Sequence, residues 1–185
     1  MKLAINFSYP AADLVASGQI PLDRFKTPNW PDVVAEARTF RPVAVHFNLK
    51  IGRPGLTESN WDAVEELLAV TGTPHVNVHL APNVSTFPHL ALNGKTSSEL
   101  FAWLVKDLNL VSDRFGAERV IVENVPYHGP EDTILPQGVN PALITRLVEE
   151  TGTGLLLDIS HARIAAHHLG MDARDYMQAL PVDRV

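Results

Sequence analysis

Five short stretches of this chain, residues 2–8, 43–48, 75–80, 119–124 and 154–159, obey one rule: alternate side chains are apolar, and those between turn polar toward the C-terminal end. Successive side chains of a strand point to opposite faces, so each stretch can be split by parity. One parity collects Leu3, Ile5 and Phe7, then Val43, Val45 and Phe47, then Val76, Val78 and Leu80, then Val120 and Val122, then Leu155, Leu157 and Ile159. The other runs from small or apolar residues into Asn6, His46, His79, Glu123 and Asp158. A parallel sheet covered by helices on both sides is apolar on both faces. A barrel packs one face on helices and turns the other inward, with polar groups gathered at the C-terminal mouth. The split therefore predicts an α/β fold of the (β/α)8 TIM-barrel type.

The segments between the strands support repeated βα units. A helix is predicted over residues 32–39 after an irregular segment, 10–30, that holds one helical turn near 11–17. The next spans 59–71, with Thr57 or Ser59 as N-cap and Gly72 past its end. Thr96 and Glu99 form a capping box for a helix over 97–115, following a long loop at 81–95. Asn140 and Pro141 open a helix over 141–151, Asp172 caps another over 173–180, and the closing VDRV reads as the start of a sixth strand. The strand-end residues His46, His79, Glu123 and Asp158 follow one another at intervals of 33, 44 and 35 residues, a spacing suited to βα units. Nothing resembles a domain linker, so residues 1–185 are expected to form a single, partial barrel domain.

Composition narrows the chemistry of the rim. With no cysteine, a metal has only His, Asp, Glu and Asn to bind. Asp158 ends an apolar strand and His161 follows three residues later, a D-x-x-H that alone proves little and reads more readily as a helix-capping Asp beside a surface His. Together with His46, His79 and Glu123 on the same face it reads as a ligand set, because inward carboxylates left unpaired each cost several kcal/mol and a divalent cation neutralises them. His75, His89, His128, His167 and His168 are expected to be structural or surface residues. The net charge of -6, with no basic run, makes nucleic acid an unlikely partner. No apolar run is long enough to span a membrane and residues 1–10 lack a signal-peptide core, which points to a cytoplasmic protein.

The stretches VENVPYH and GLLLDISHARIAAHHLGMDARDYMQALPVDRV resemble the xylose isomerase-like TIM-barrel superfamily and, within it, the multinuclear non-haem iron-dependent oxidase family. That family carries an ENxxY strand end, an LLLD strand, a GxD and an LP before the next strand. The resemblance covers residues 43–185 and implies metal positions at His46, His79, Glu123 and Asp158. Ser160 and His161 stand where that family has two asparagines, so His161 is matched instead to the D-x-x-H of endonuclease IV-type barrels. Barrels of this type have eight strands and about 250 residues, so the chain is expected to be truncated after about six strands, with open edges through which it could associate.

The resemblance implies a metal-dependent enzyme with iron as cofactor, manganese and zinc being the alternatives, acting on a peptide or small-molecule substrate. Glu123 is the expected catalytic residue, placed to bridge two ions. Asn6, Lys50, Arg53 and Asn124 are expected to contact substrate, Lys50 or Arg53 through an anionic group. A sugar isomerase or epimerase is the second reading, abasic-site DNA hydrolysis the third, and a degenerate, non-catalytic barrel fragment the fourth.

Overall fold

Phe25 is the residue that organises the first sheet. It is fully buried on β2 (Arg24–Pro28), which lies in parallel between β1 (Ala4–Asn6) and β3 (Val43–His46), with Ile5 and Val43 at its sides in the register. The Phe7 ring meets the Phe25 ring edge-on at 5.3 Å. The computed structural model describes residues 2–90 and 97–185. Its compact units are two: the residues up to Asn48 with Asn60–Val76, and Leu49–Ser59 with Asn77–Val185.

The first unit holds β1–β3 with α1 (Tyr9–Ala16), α2 (Pro31–Ala37) and α3 (Trp61–Thr71). β2 corrects the expectation of an irregular segment. Its alternation is short and flanked by prolines, but Phe25 and Thr27 are both buried while Lys26 points out, and Pro28 falls at the strand's last residue, where a missing N–H costs little. Ser8 caps α1, its Oγ accepting from Ala11 N–H. α3 is capped by Asn60, whose Oδ1 accepts from Ala63 N–H at 3.1 Å, and not by Thr57 or Ser59. Gly72 ends α3 in the left-handed conformation, as expected. Just beyond it, the buried Thr73 hydroxyl accepts from Val45 N–H at 2.9 Å, which pins the end of α3 to β3.

In the second unit β4 (Leu49–Ile51), β5 (Val76–Leu80), β6 (Val120–Glu123) and β7 (Gly154–Leu156) lie in that order, with β4–β5 and β6–β7 parallel. The single strand expected over 43–48 is thus two: β3 stops at His46, and β4 begins at Leu49 in the other sheet. Helices α4 (Ser98–Phe115), α5 (Pro141–Thr151), α6 (Ile159–Leu169) and α7 (Ala173–Gln178) complete the unit. α4 and α5 contribute apolar stripes, such as Leu100, Leu104, Leu108 and Val111 of α4, all fully buried. Ser97 caps α4, accepting from Leu100 N–H. The expected cap Thr96 and the end of the 81–95 loop lie outside the described residues.

Two sequence expectations fail at strand ends for local reasons. The strand expected to reach residue 159 ends at Leu156, because the Asp158 side chain caps α6 and Ile159 is already helical. The closing VDRV is a 3-10 turn at Val182–Arg184, closed by Arg184 N–H to the Pro181 carbonyl. The loops after β5 and β6 are tied together: Leu135 N–H donates to Pro82 O at 2.8 Å, Val84 N–H donates to Thr133 O at 2.9 Å, and Asn83 bridges to Ile134. Gly138 sits so close to the Pro82 ring that a Cβ there would collide with it. No helix among the described residues is long and apolar enough to cross a membrane.

Candidate metal centre

Glu123 is the last residue of β6, and its side chain is only 3% exposed. Burying a carboxylate is expensive unless the neighbourhood supplies donors or a cation. The neighbouring strand β5 supplies two groups from one face. Asn77 Nδ2 donates to Glu123 Oε2 at 3.3 Å, and His79 Nε2 stands 3.2 Å from the same oxygen. His79 is held from behind, its Nδ1 lying 3.0 Å from the Leu49 carbonyl oxygen on β4. A carbonyl only accepts, so Nδ1 carries the hydrogen, and in the neutral ring Nε2 keeps the lone pair facing Glu123. Metal-binding histidines are commonly oriented in this way, by a backbone carbonyl on the far nitrogen.

The second part of the centre comes from the turn between β7 and α6. Asp158 is the N-cap of α6, with Oδ1 accepting from His161 N–H at 2.9 Å. The capping reading of Asp158 is therefore true, but it occupies one oxygen and leaves Oδ2, which lies 3.8 Å from His161 Nδ1. Asn124 fixes where this turn sits. Its Nδ2 donates to Asp158 O at 2.9 Å and its Oδ1 accepts from Asp158 N–H at 2.8 Å, so the side chain acts as one more backbone rung between the ends of β6 and β7. Asn124 was expected to contact substrate; instead both polar atoms of this fully buried side chain are engaged in positioning.

One ligand atom from each of Glu123, Asp158 and His161 lies within 4.8 Å of the others. His161 Nδ1 is 3.7 Å from Glu123 Oε1 and 2.9 Å from the Asn124 carbonyl oxygen. That carbonyl requires a hydrogen on Nδ1, which leaves Nε2 as the lone-pair nitrogen of the neutral ring. The donor set fits a divalent metal. Two ligand atoms each about 2.1 Å from one ion stand roughly 3.0–3.4 Å apart, and His79 Nε2 and Glu123 Oε2 already have that spacing. Two carboxylates with imidazole nitrogen suit iron, manganese or zinc.

The remaining expected site residues are distributed as follows. His46 ends β3 in the first unit and is half-buried, and Asn6 ends β1 in that unit and is exposed. Lys50 is half-buried on β4. Arg53 lies just beyond β4, where its Nε donates to the Ala81 carbonyl at 3.1 Å, a bond that helps hold the loop after β5. His89 pairs with Glu99 at 2.9 Å on an open surface, which adds little. Sequence reasoning passed over Asn77, a buried donor to Glu123. The signal for it was present, since Asn77 shares the parity of His79.

Residues 25–185 match the family model described as RiPP precursor modification enzyme MbnB/TglH/ChrH. The chain belongs to that family. It is 31% identical over 120 residues to a UPF0276 protein of Acaryochloris marina (strain MBIC 11017), a match that takes in 60% of this chain and 40% of that protein. Among solved structures, a D-psicose 3-epimerase crystallised in the presence of D-fructose superposes with a TM-score of 0.55 at 14% identity, over 89% of this chain and 65% of that one. This likeness shows the fold, the parallel strand-and-helix pattern of a TIM barrel. The chain thus spans less than half of its curated relative and about two thirds of the epimerase.

Proposed function

We propose that this chain carries the metal-holding part of an enzyme that oxidises a side chain of a peptide precursor, with iron as the working metal. The observation that carries the reading is the His79–Glu123 pair: a buried carboxylate at a strand end, 3.2 Å from an imidazole nitrogen whose other face is fixed by a backbone carbonyl. Membership of a family described as modifying RiPP precursors supports a peptide substrate over a sugar.

In this reading His79, Glu123, Asp158 and His161 hold the metal. Bound there, iron would bind a substrate heteroatom as a Lewis acid and would pass electrons from the substrate to dioxygen, the oxidant. Glu123 offers two oxygens from a buried side chain, where electrostatic interactions are stronger than in the open. Asp158 is aimed by the α6 cap and the Asn124 rung, so its free oxygen keeps its place without substrate. His161 Nδ1 donates to the Asn124 carbonyl, which fixes the orientation of the ring. Lys50 and Arg53 are the proposed substrate contacts.

The deciding measurement is elemental analysis of protein purified without chelator, followed by titration with Fe(II), Mn(II) and Zn(II). One equivalent or more of iron, lost in Glu123→Gln, is the expected result. A protein that comes out metal-free and takes up none of the three would leave the degenerate-fragment reading in its place.

A further inference from the structure

Helix α6 has two dissimilar faces. Ala162, Ala165 and Ala166 are fully buried, which lets the helix pack closely on its own unit. Ser160, Arg163, Ile164 and His167, spaced i, i+3, i+4 and i+7, form a stripe on another side. This stripe, with His168 and the loop residue His128, lines an open cavity of about 570 Å³, within the usual range of ligand sites. The loop wall is seated closely: Gly129 has a φ of +100°, and a Cβ there would press on His168 Nδ1 at 3.2 Å. The Tyr127 ring meets His168 edge-on at 6.4 Å, and the His128 and His167 rings lie 6.2 and 5.0 Å from it.

The chemistry of this groove runs against that of the whole chain. The chain carries a net charge of -6, yet no carboxylate lines the groove, whose polar groups are one guanidinium, three imidazoles and a hydroxyl. Of the two acids of the loop, Glu131 is exposed and Asp132 is occupied: Oδ2 accepts from His128 N–H and Oδ1 from Ile134 N–H. The rings of His128, His167 and His168 are too far apart to form a ready metal cage, since the ligand groups found among the described residues lie elsewhere. What the groove presents is a row of hydrogen-bond donors with one fixed positive charge over the half-buried Ile164. From Ser160 to His167 the stripe runs about 10 Å along the helix, the length of about three extended residues. Its near end adjoins Asp158 and His161.

The geometry points to this groove as the docking site for an acidic segment of the peptide substrate, an extended stretch bearing Asp or Glu carboxylates. The inference rests on the peptide-modifying reading above and adds to it the charge of the part bound and the surface that binds it. Arg163 gives the carboxylate a bidentate partner, the imidazoles donate to further carboxylate or backbone oxygens, and Ile164 receives an apolar side chain. A segment lying along α6 delivers the adjoining residues to the turn that holds Asp158.

The test uses the full chain and labelled decapeptides, one rich in Glu, one with Gln in place of each Glu and one with Lys, together with a ten-nucleotide thymidine strand, all read by fluorescence anisotropy. The Glu peptide is expected to bind about tenfold more tightly than the Gln peptide, with the preference shrinking as salt rises. Arg163→Glu with His167→Glu, both at exposed positions, is expected to weaken the Glu peptide about tenfold. Lys106→Glu on the outer groove of α4 is expected to change nothing. Should the double charge reversal lose helix by circular dichroism, Arg163→Ala with His167→Ala replaces it. Equal binding of Glu and Gln peptides, no effect of either double variant, or tighter binding of the thymidine strand overturns the proposal. Metal content measured on the same preparations separates the two readings: peptide preference without metal sinks the oxidase, and metal without peptide preference sinks the groove.

Discussion

The centre has two parts that reach similar chemistry by different means. On the strand side, His79 and Glu123 belong to neighbouring strands, and both are held by the sheet itself, through the Leu49 carbonyl and the buried Asn77 amide. On the helix side, Asp158 and His161 lie at a helix start, a third and a quarter exposed, and are held by a cap and by the Asn124 rung. Glu123 is buried beside the Asn77 amide and the His79 ring. Asp158 has a task apart from any metal, since capping alone accounts for an Asp at that place. The difference teaches that the strand side is the firmer evidence for a metal, and that the helix side must be tested with variants that separate cap from ligand.

The largest effect is expected at Glu123. Loss of a partner behind a ligand costs about 10–100-fold in metal affinity, so Glu123→Gln, which alters the ligand itself, should cost more than a hundredfold by competitive chelator titration. In metal-free protein the same change should leave the melting temperature equal or raise it, because a buried charge has been removed. His79→Ala should come next, at about a hundredfold. Asn124→Ala removes both bonds to the Asp158 backbone and is expected to cost about 1–3 kcal/mol in urea unfolding, with metal affinity reduced about tenfold. Asp158 then separates the two tasks: Asp158→Ala should lose about 1 kcal/mol of stability through the cap along with metal, whereas Asp158→Asn should keep the stability and still lose metal. If Asp158→Asn binds metal like the parent, the helix side is a cap only. His161→Gln should have the smallest effect, about tenfold, since Nδ1 is turned to the Asn124 carbonyl. A loss as large as that of His79→Ala would break the comparison and make both sides equal ligand donors.

Residue parity made the strand side legible. His79 and Glu123 fall on the predicted face because a β-strand alternates without exception over a few residues, and Val76, Val78, Val120 and Val122 on the opposite parity are all buried. Where the backbone changes element, parity loses its meaning. Ile159 was assigned to a strand face but is the first residue of α6 and is exposed, because a cap decides the boundary and a cap can be read only once the chain turns. β2 was hidden for another reason: five residues holding Arg, Lys and Pro carry too little apolar signal, and only burial of Phe25 between two neighbours makes them a strand. Asn124 shows a limit of motif reading. Its place beside Glu123 suggested substrate, but an amide can imitate a peptide unit, and only coordinates reveal that it does so here.

That imitation has a consequence for what the candidate centre does when it is empty. Because Asn124 ties β6 to β7 by bonds that involve no metal, and because the α6 terminus keeps a partner for Asp158 whether or not an ion is present, the pocket is expected to survive emptying. On the reading proposed above, a metal would then leave and be replaced, or be exchanged for another, on the folded molecule, and its identity would be set by supply and not by what was at hand when the chain first folded.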